Sequence, residues 1–215
     1  MNWKTKPTDR FILRFIKLYI SAPISIRLVR LRPDIRPAVL TYAAACLGIG
    51  GGVSFGLGFA WLGGLLAAFA QILDGVDGQV ARLTGRASSE GALLDSVLDR
   101  YMDFALLFGI LFHCLRYSAG IGEMESAFNW SWIILLAGLA AAGSSQVSYA
   151  TARAASLNLD YNRPECAGKG SRTAVIILCG LLTPLWIHFP LVALICLAVH
   201  TNLAVILSMT KLKRS

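Results

Sequence analysis

The sequence predicts an all-α membrane protein with six transmembrane helices, preceded by an N-terminal interfacial amphipathic helix. Of the 215 residues, 56% are hydrophobic and only 15% are charged, a composition too apolar for an ordinary soluble domain. A membrane-spanning helix needs about 20 mostly apolar residues, and the chain offers six such stretches with short polar links between them. These stretches are centred on 38–58, 61–81, 92–115, 131–152, 172–188 and 190–209. No alternating strand pattern competes with this helical assignment.

Residues 1–36 are predicted to lie on the cytoplasmic membrane surface. Basic residues are spread through this segment, and it has neither the apolar core nor the small-residue cleavage site of a signal peptide. Apolar and basic residues fall on opposite faces of a helix, which is typical of an interfacial amphipathic helix. The apolar face holds Phe11, Ile12, Phe15, Leu18 and Tyr19; the basic face holds Arg10, Arg14 and Lys17; Thr8 is the expected N-cap. The alternative is a soluble helix packed on another domain.

The six stretches form one predicted transmembrane domain over residues 37–211, and a basic cytoplasmic tail follows at 212–215. Lysine and arginine concentrate on one side of the predicted membrane. They are Arg82, Arg86, Arg153, Arg163, Lys169, Arg172, Lys211, Lys213 and Arg214. By the positive-inside rule, this side and both termini face the cytoplasm from the inner membrane. The net charge of +8 suits anionic lipids and phosphorylated substrates rather than nucleic acid, because the charges border membrane spans.

Four carboxylates interrupt the second and third predicted spans. Asp74 and Asp77 lie three residues apart near the end of one span, so they share a helix face. Asp95 and Asp99 lie four apart near the start of the next span and share a face in the same way. With only Arg82 and Arg86 close by, these acids would repel one another strongly, which predicts bound divalent cations. Oxygen ligands favour Mg²⁺ or Mn²⁺, and two ions are the expected number.

Small and basic residues next to the acids indicate which kind of substrate would bind beside the metals. Gly78 directly follows Asp77, and Gly91 lies one turn before Asp95, so both acidic faces leave room for a flat base or a close helix. Arg82 lies one turn after Gly78, and Arg86 follows in the same link; the forked donors of Arg82 can reach phosphate oxygens. Paired metals can clamp a pyrophosphate and orient an incoming hydroxyl group for in-line attack.

The acidic segment resembles the defining motif of the CDP-alcohol phosphotransferase (CDP-alcohol phosphatidyltransferase) family at every position. The motif here reads Asp74-x-x-Asp77-Gly78-x-x-Ala81-Arg82, eight residues, then Gly91-x-x-x-Asp95-x-x-x-Asp99. The resemblance implies a membrane-embedded, metal-dependent and commonly homodimeric enzyme of phospholipid biosynthesis. Such an enzyme transfers a phosphoalcohol group, such as phosphatidyl, from a CDP-activated lipid to a small polar hydroxyl acceptor and releases CMP.

Site residues follow from the same resemblance, position by position. The implied metal ligands are Asp74, Asp77, Asp95 and Asp99, and Asp99 is also the implied catalytic base. The implied CDP-binding residues are Gly78, Arg82, Ser88, Gly91 and Pro37; the stretch from Pro37 through Ala38, Val39 and Leu40 matches places where relatives touch the nucleotide. Asp103 extends the acidic face of the third span but lies outside the motif, and it is expected to bond a neighbouring helix or Arg100.

The acceptor is expected to bind at a basic cluster that contains Arg163 together with the expected acceptor-binding residues Arg153, Lys169 and Arg172. Two segments resemble family members that transfer to inositol phosphate or make di-inositol phosphate. They are Ser148-Tyr149-x-x-Ala152-Arg153-Ala154 and Lys169-Gly-Ser-Arg172. Two departures weaken this assignment, since Thr151 and Ser208 stand where those relatives carry basic residues. Ordinary positive-inside charge is the alternative explanation of the cluster. Glycerol phosphate, serine or another polyol remain open as acceptors, as do a diacylglycerol, archaeal-type ether or soluble CDP-inositol donor.

Three other functions compete with this hypothesis. An ion-coupled transporter would also bury carboxylates, but its acids should lie near the bilayer midplane within inverted repeats. The acids here lie beside an arginine-containing link instead. An inactive relative acting as a scaffold should show a broken motif, whereas this one is intact. Hydrolysis of CDP-lipids, with water as the acceptor, fits the same residues and is separated only by product analysis.

Overall fold

The structure, a computed structural model, describes residues 16–118, 123–159, 161, 164 and 167–210, with residues 123–129 described by their backbone alone. Within these residues the chain is helical and contains no strand. A π-helical turn at Lys17–Ser21 leads into α1. The helices are α1 (Ala22–Leu31), α2 (Pro37–Gly56), α3 (Ala60–Leu83), α4 (Ser89–Ser118), α5 (Glu123–Ser156), α6 (Lys169–Leu182) and α7 (Phe189–Thr210). Each predicted apolar stretch falls on one of α2 to α7, although α6 ends earlier than expected.

The long helices begin and end where local chemistry favours it. Pro37 occupies the first turn of α2, where a missing N–H costs nothing and the fixed φ suits a helix. The link between α2 and α3 turns at Gly58, whose φ of +96° disfavours any residue with a side chain. Ser88 caps α4, because its hydroxyl oxygen accepts a hydrogen bond of 3.1 Å from the Gly91 N–H.

Three helices are long and apolar enough to cross a membrane among the residues that the structure describes. They are Pro37–Gly56, Trp130–Ser156 and Phe189–Thr210. Helices α3 and α4 are long enough but carry the acidic residues. Helix α6 has 14 residues, about 21 Å at the usual rise per residue, against a hydrocarbon core of about 30 Å. The count of six spans therefore stays a prediction.

The helices pack backbone against backbone through small residues. Gly52 of α2 meets Gly109 of α4 so closely that a Cβ on Gly109 would overlap the Gly52 carbonyl oxygen. Gly64 of α3 lies against α6, where an added Cβ would be 2.9 Å from the Ile177 carbonyl oxygen. Small residues at such crossings are typical of helices that associate in lipid, where close packing replaces the hydrophobic driving force. This packing fixes α3 between α2 and α6.

One apolar cluster draws on all six long helices. Its buried members include Phe55 (α2), Ala67 (α3), Ile110 (α4), Ala137 (α5), Ile176 (α6) and Leu194 (α7). The acidic residues lie outside this cluster, toward the ends of α3 and α4 that the link 84–88 joins. The apolar core thus holds the helices together while the joined ends are left to polar chemistry.

The position of Lys17 near the N-terminus differs from the prediction. Lys17, expected on an exposed basic face, is buried against α3, where its carbonyl oxygen accepts a hydrogen bond of 2.9 Å from the Gln79 side chain. Ser25 donates to Gln79 Oε1 at 2.9 Å, so a polar face packs inward. Tyr19 and Ile24 are exposed on the other side. The expected N-cap Thr8 and the residues from Arg10 to Phe15 lie outside the described residues.

Candidate active site

The metal-binding hypothesis concerns the aspartates of α3 and α4, which come together where the two helices are joined. One ligand oxygen each from Asp74, Asp95 and Asp99 lies within 4.8 Å of the other two. Oxygens at this spacing can ligate one hard divalent cation. Sequence spacing predicted only that the acids form a pair on each helix. In the folded chain, three of the four acids lie together.

Asp77 faces a different part of the site. Its side chain is buried, and its Oδ2 has no hydrogen-bond partner among the described residues. A buried carboxylate oxygen left in this way is costly unless a cation or a ligand donor satisfies it. The chemistry of the four aspartates therefore fits one or more bound divalent metals.

A lysine that the sequence assigned to the acceptor lies among these carboxylates. Lys169, the first residue of α6, donates to Asp74 Oδ1 at 2.7 Å and also makes a short hydrogen bond to Asp99 Oδ1. Only Arg82 and Arg86 were predicted to lie near the acids, so the contact with Lys169 was missed. The available signal was the lysine itself, since a cation beside apolar spans usually has an acidic partner.

Asp103 joins two arginines beside the acidic cluster. Its Oδ2 lies 2.8 Å from Arg100 on the same helix and 2.9 Å from Arg172 on α6. Arg172 also donates to the Ala167 carbonyl oxygen at 3.0 Å, and its side chain is only 3% exposed. The expectation that Asp103 bonds a neighbouring helix and Arg100 is confirmed. Arg172 is therefore part of a buried ion-pair network.

A cavity of about 160 Å³ opens beside Asp77 and Asp95. Five residues assigned to CDP line it, namely Pro37, Gly78, Arg82, Ser88 and Gly91, whereas Val39 and Leu40 of the matched stretch do not. Ala38 lines it too, whereas Val39 is exposed elsewhere. Thr41 is a wall residue that the sequence analysis missed, one turn after Pro37 on the same face of α2.

The two glycines of the cavity leave space that side chains would fill. A Cβ at Gly78 would lie 3.4 Å from a guanidinium nitrogen of Arg82, and one at Gly91 would lie 3.4 Å from the Ser88 hydroxyl. These are contacts with cavity-lining groups rather than with packed backbone, so the glycines keep the cavity open. Arg86 closes one edge, donating to the carbonyl oxygens of Asp34 and Ile35 at 3.1 Å.

The remaining predicted acceptor residues differ in how far they are buried and in their distance from the aspartates. Arg153 is exposed in the last turn of α5. Arg172 reaches that helix, where its guanidinium lies 3.5 Å from the Ser148 hydroxyl. Arg163 lies outside the described residues. The structure thus brings Lys169 to Asp74 and Asp99 and brings Arg172 to Asp103. Arg153 stays at the surface.

Most of the chain is similar to known proteins. A family model described as CDP-alcohol phosphatidyltransferase matches residues 34–210. The bifunctional IPC transferase and DIPP synthase of Aquifex aeolicus is 36% identical over 145 residues, which are 67% of this chain and 30% of that protein. The archaetidylinositol phosphate synthase of Pyrococcus horikoshii is 31% identical over 134 residues, 62% of this chain and 63% of that protein. The chain thus spans less than two thirds of these relatives.

Solved structures share the fold. Phosphatidylinositol phosphate synthase of Mycobacterium tuberculosis with CDP-DAG bound matches with a TM-score of 0.73 and 21% identity, covering 89% of this chain and 92% of that one. The same protein in complex with manganese and citrate matches with a TM-score of 0.71 and 22% identity, covering 89% of this chain and 88% of that one. At this identity the likeness establishes the helical architecture.

Proposed function

Because this chain belongs to the CDP-alcohol phosphatidyltransferase family, we propose that it transfers a phosphoalcohol group from a CDP-alcohol donor to a hydroxyl acceptor and releases CMP. The observation that carries the proposal is the placement of the cavity. All five residues assigned to the nucleotide line a single opening that also reaches Asp77 and Asp95. A nucleotide in this opening has its pyrophosphate next to the carboxylates, where the reaction takes place.

The donor is a CDP-activated lipid in this proposal. Gly78 and Gly91 leave room for the nucleotide, and the Arg82 guanidinium supplies charge-assisted donors to phosphate oxygens. The lipid tails lie in the bilayer beside the cavity. The CDP-DAG-bound relative from Mycobacterium tuberculosis supports a donor of this class.

In this proposal Asp74, Asp77, Asp95 and Asp99 would hold divalent metal, as two ions of Mg²⁺ or Mn²⁺. The spacing of three carboxylate oxygens and the unsatisfied Asp77 Oδ2 support it. When bound, the metal neutralises charge on the pyrophosphate and on the departing CMP. The manganese-bound relative supports a metal of this kind.

Asp99 is the proposed base of the transfer. It accepts the proton of the acceptor hydroxyl as the acceptor oxygen forms a bond to the phosphorus of the phosphoalcohol group. The bond from that phosphorus to the bridging oxygen of CDP breaks, and CMP leaves with the electron pair. Its position one turn beyond Asp95 on α4 lets Asp99 serve the acceptor while Asp95 faces the cavity.

Inositol phosphate is the proposed acceptor, and the name of the similar archaetidylinositol phosphate synthase of Pyrococcus horikoshii supports it. Arg153, Lys169 and Arg172 form the proposed acceptor site. Lys169 lies at the carboxylates and Arg172 lies one turn further along α6. Glycerol phosphate and serine are the alternatives that product analysis separates.

The membrane arrangement is part of the proposal. Helices α2 to α7 form six spans, with residues 1–36 on the cytoplasmic surface and the active site and both termini facing the cytoplasm from the inner membrane. The exposed Tyr19 and Ile24 support contact between the first helix and lipid. The active unit is a homodimer.

The decisive experiment is CMP release by detergent-purified protein given CDP-diacylglycerol and Mg²⁺. Inositol phosphate, glycerol phosphate, serine or no acceptor is supplied, and products are identified by mass. We expect release that depends on both the metal and inositol phosphate. Release without any acceptor indicates hydrolysis, and no release with any acceptor, metal or CDP-alcohol donor contradicts the transferase assignment.

A further inference from the structure

Lys169 holds two of the carboxylates that the proposed function assigns to metal. Its ammonium bonds Asp74 on α3 and Asp99 on α4, although it comes from α6. Both carboxylates also belong to the group of three whose oxygens lie within 4.8 Å of one another. The ammonium of this lysine and a divalent ion would therefore draw on the same ligands.

These ion pairs are largely shielded from water. The side chain of Lys169 is 19% exposed, and those of Asp74 and Asp99 are 14% and 13% exposed. Carboxylates in such surroundings need a positive partner, because an uncompensated buried charge is strongly destabilising. Lys169 supplies such a partner to both carboxylates. A divalent ion offers the same carboxylates twice the charge.

We infer that Lys169 is a tethered counter-ion which a divalent metal displaces when it binds Asp74 and Asp99. The inference rests on the metal requirement of the proposed function. Like charges repel strongly at contact distance in a site of low dielectric constant, so the ammonium and the metal do not share these two carboxylates. The lysine side chain has a flexible four-carbon stem, and its ammonium can leave without movement of α6.

Displacement has a consequence for the acceptor site. The ammonium freed from the aspartates comes from the first turn of α6, which also carries Arg172. An anionic acceptor group would then gain a cation only after metal has bound. Coupling between two sites is reciprocal, so metal binding and acceptor binding strengthen each other in this scheme. A permanent structural ion pair, the competing explanation, leaves Lys169 on the aspartates whether or not metal is present.

The first test measures the reactivity of the Lys169 amine in the unmodified protein. Detergent-purified protein is acetylated briefly with an amine-reactive ester, in EDTA and at increasing Mn²⁺, and labelling is quantified by mass spectrometry. We expect Lys169 to be protected in EDTA and to label at least about tenfold faster at saturating Mn²⁺, as coupled sites commonly show. Lys211 and Lys213 report the strength of the reagent. Unchanged labelling at saturating Mn²⁺ overturns the inference.

The second test uses Lys169→Met, which keeps most of the side-chain length and removes the charge. We expect this variant to bind Mn²⁺ about tenfold more tightly than the unmodified protein. It should unfold at a lower temperature in EDTA, and the difference should vanish at saturating Mn²⁺. Arg116→Gln is the matched control, because it removes one exposed charge at the far end of α4 and should leave Mn²⁺ affinity unchanged.

The outcomes separate this inference from the proposed function. Mn²⁺ binding with unchanged labelling and an unchanged affinity in Lys169→Met overturns the displacement and leaves the transferase proposal standing. Tighter binding by the variant without exposure of Lys169 in the unmodified protein indicates simple repulsion at a distance and also overturns displacement. Failure of both proteins to bind Mn²⁺ overturns the inference together with the metal basis of the proposed function.

Discussion

The aspartates of the motif have different surroundings despite their shared chemistry. Asp74 and Asp99 are bonded to Lys169, whereas Asp77 lines the cavity proposed for the nucleotide and has an unsatisfied buried oxygen, judged by the described residues. Gln71 adds a weak hydrogen bond of 3.4 Å to the far oxygen of Asp74. Replacing Asp74 or Asp99 should therefore affect a different step of the reaction from replacing Asp77.

Asp99→Asn tests the proposed base. The amide cannot accept the acceptor proton, so CMP release should fall by at least about 100-fold while the protein remains folded. CMP release and thermal unfolding in detergent are measured together. Arg116→Gln is the control, since Arg116 is an exposed charged residue at the end of α4 far from the aspartates. Near-normal turnover by Asp99→Asn contradicts the assigned role.

Gly78→Ala tests the open cavity. The new methyl group would contact the Arg82 guanidinium at about the ordinary van der Waals distance and occupy space proposed for the nucleotide. The KM for the CDP donor should rise about tenfold or more, whereas the unfolding temperature should change little, because no packed backbone is displaced.

Gly138→Ala provides the comparison for that substitution. Gly138 also lies inside a helix, but a Cβ there would meet no heavy atom within 4 Å among the described residues. The KM for the donor should be unchanged in this variant. Equal effects of the two substitutions would indicate that Gly78 matters only for helix propensity.

At the scale of the helices, α6 is the element that completes the site. Its first residue bonds Asp74 and Asp99, and Arg172 bonds Asp103 on α4. Gly64 allows α6 to approach α3 closely enough for these contacts. The aspartates of α3 and α4 therefore depend on a lysine that lies 95 residues from Asp74 and 70 residues from Asp99 along the chain.

Asp103→Asn tests the ion pairs that join α4 to α6. Loss of the carboxylate leaves Arg172 buried without its charge partner, so stability should fall by about 3 kcal/mol. The double variant Asp103→Asn with Arg172→Met should lose less than the sum of the single changes. Denaturant unfolding in detergent gives both values. Additive losses would mean that the pair contributes no coupling.

At the scale of the whole molecule, metal and fold should stabilise each other. The proposed ligands come from two helices, α3 and α4, so a bound ion links elements that must already be assembled. A site formed only in the folded state makes stability depend on ligand concentration.

Thermal unfolding with and without Mn²⁺ measures this linkage. At a free Mn²⁺ concentration of 100 times Kd, the stabilisation should be about 2.7 kcal/mol. Asp74→Asn should lose most of the shift, whereas Arg116→Gln should keep it. An equal shift in the Asp74 variant would place the stabilising metal elsewhere.

Much of the architecture followed from hydrophobic length and polar interruptions. The long helices α2 to α7 lie on the predicted stretches because each has a nearly continuous apolar sequence. Helix α6 was predicted to be longer, but it ends at Leu182 and a turned segment follows before Phe189. The sequence stays apolar through that segment, but it contains Pro184, and the residue before a proline disfavours the helical conformation, so the break had a sequence signal that hydropathy alone does not register.

The sequence by itself determined the family, the helical class and the residues around the nucleotide cavity, because the motif places them on two adjoining helices at fixed spacing. Tertiary structure decided the partners of Lys169, Arg172 and Asp103, the union of Asp74 with Asp95 and Asp99, and the burial of Lys17. Local spacing fixes which residues share one helix face. Contacts between distant helices depend on where small residues let backbones approach, and that is settled only when all the helices pack together.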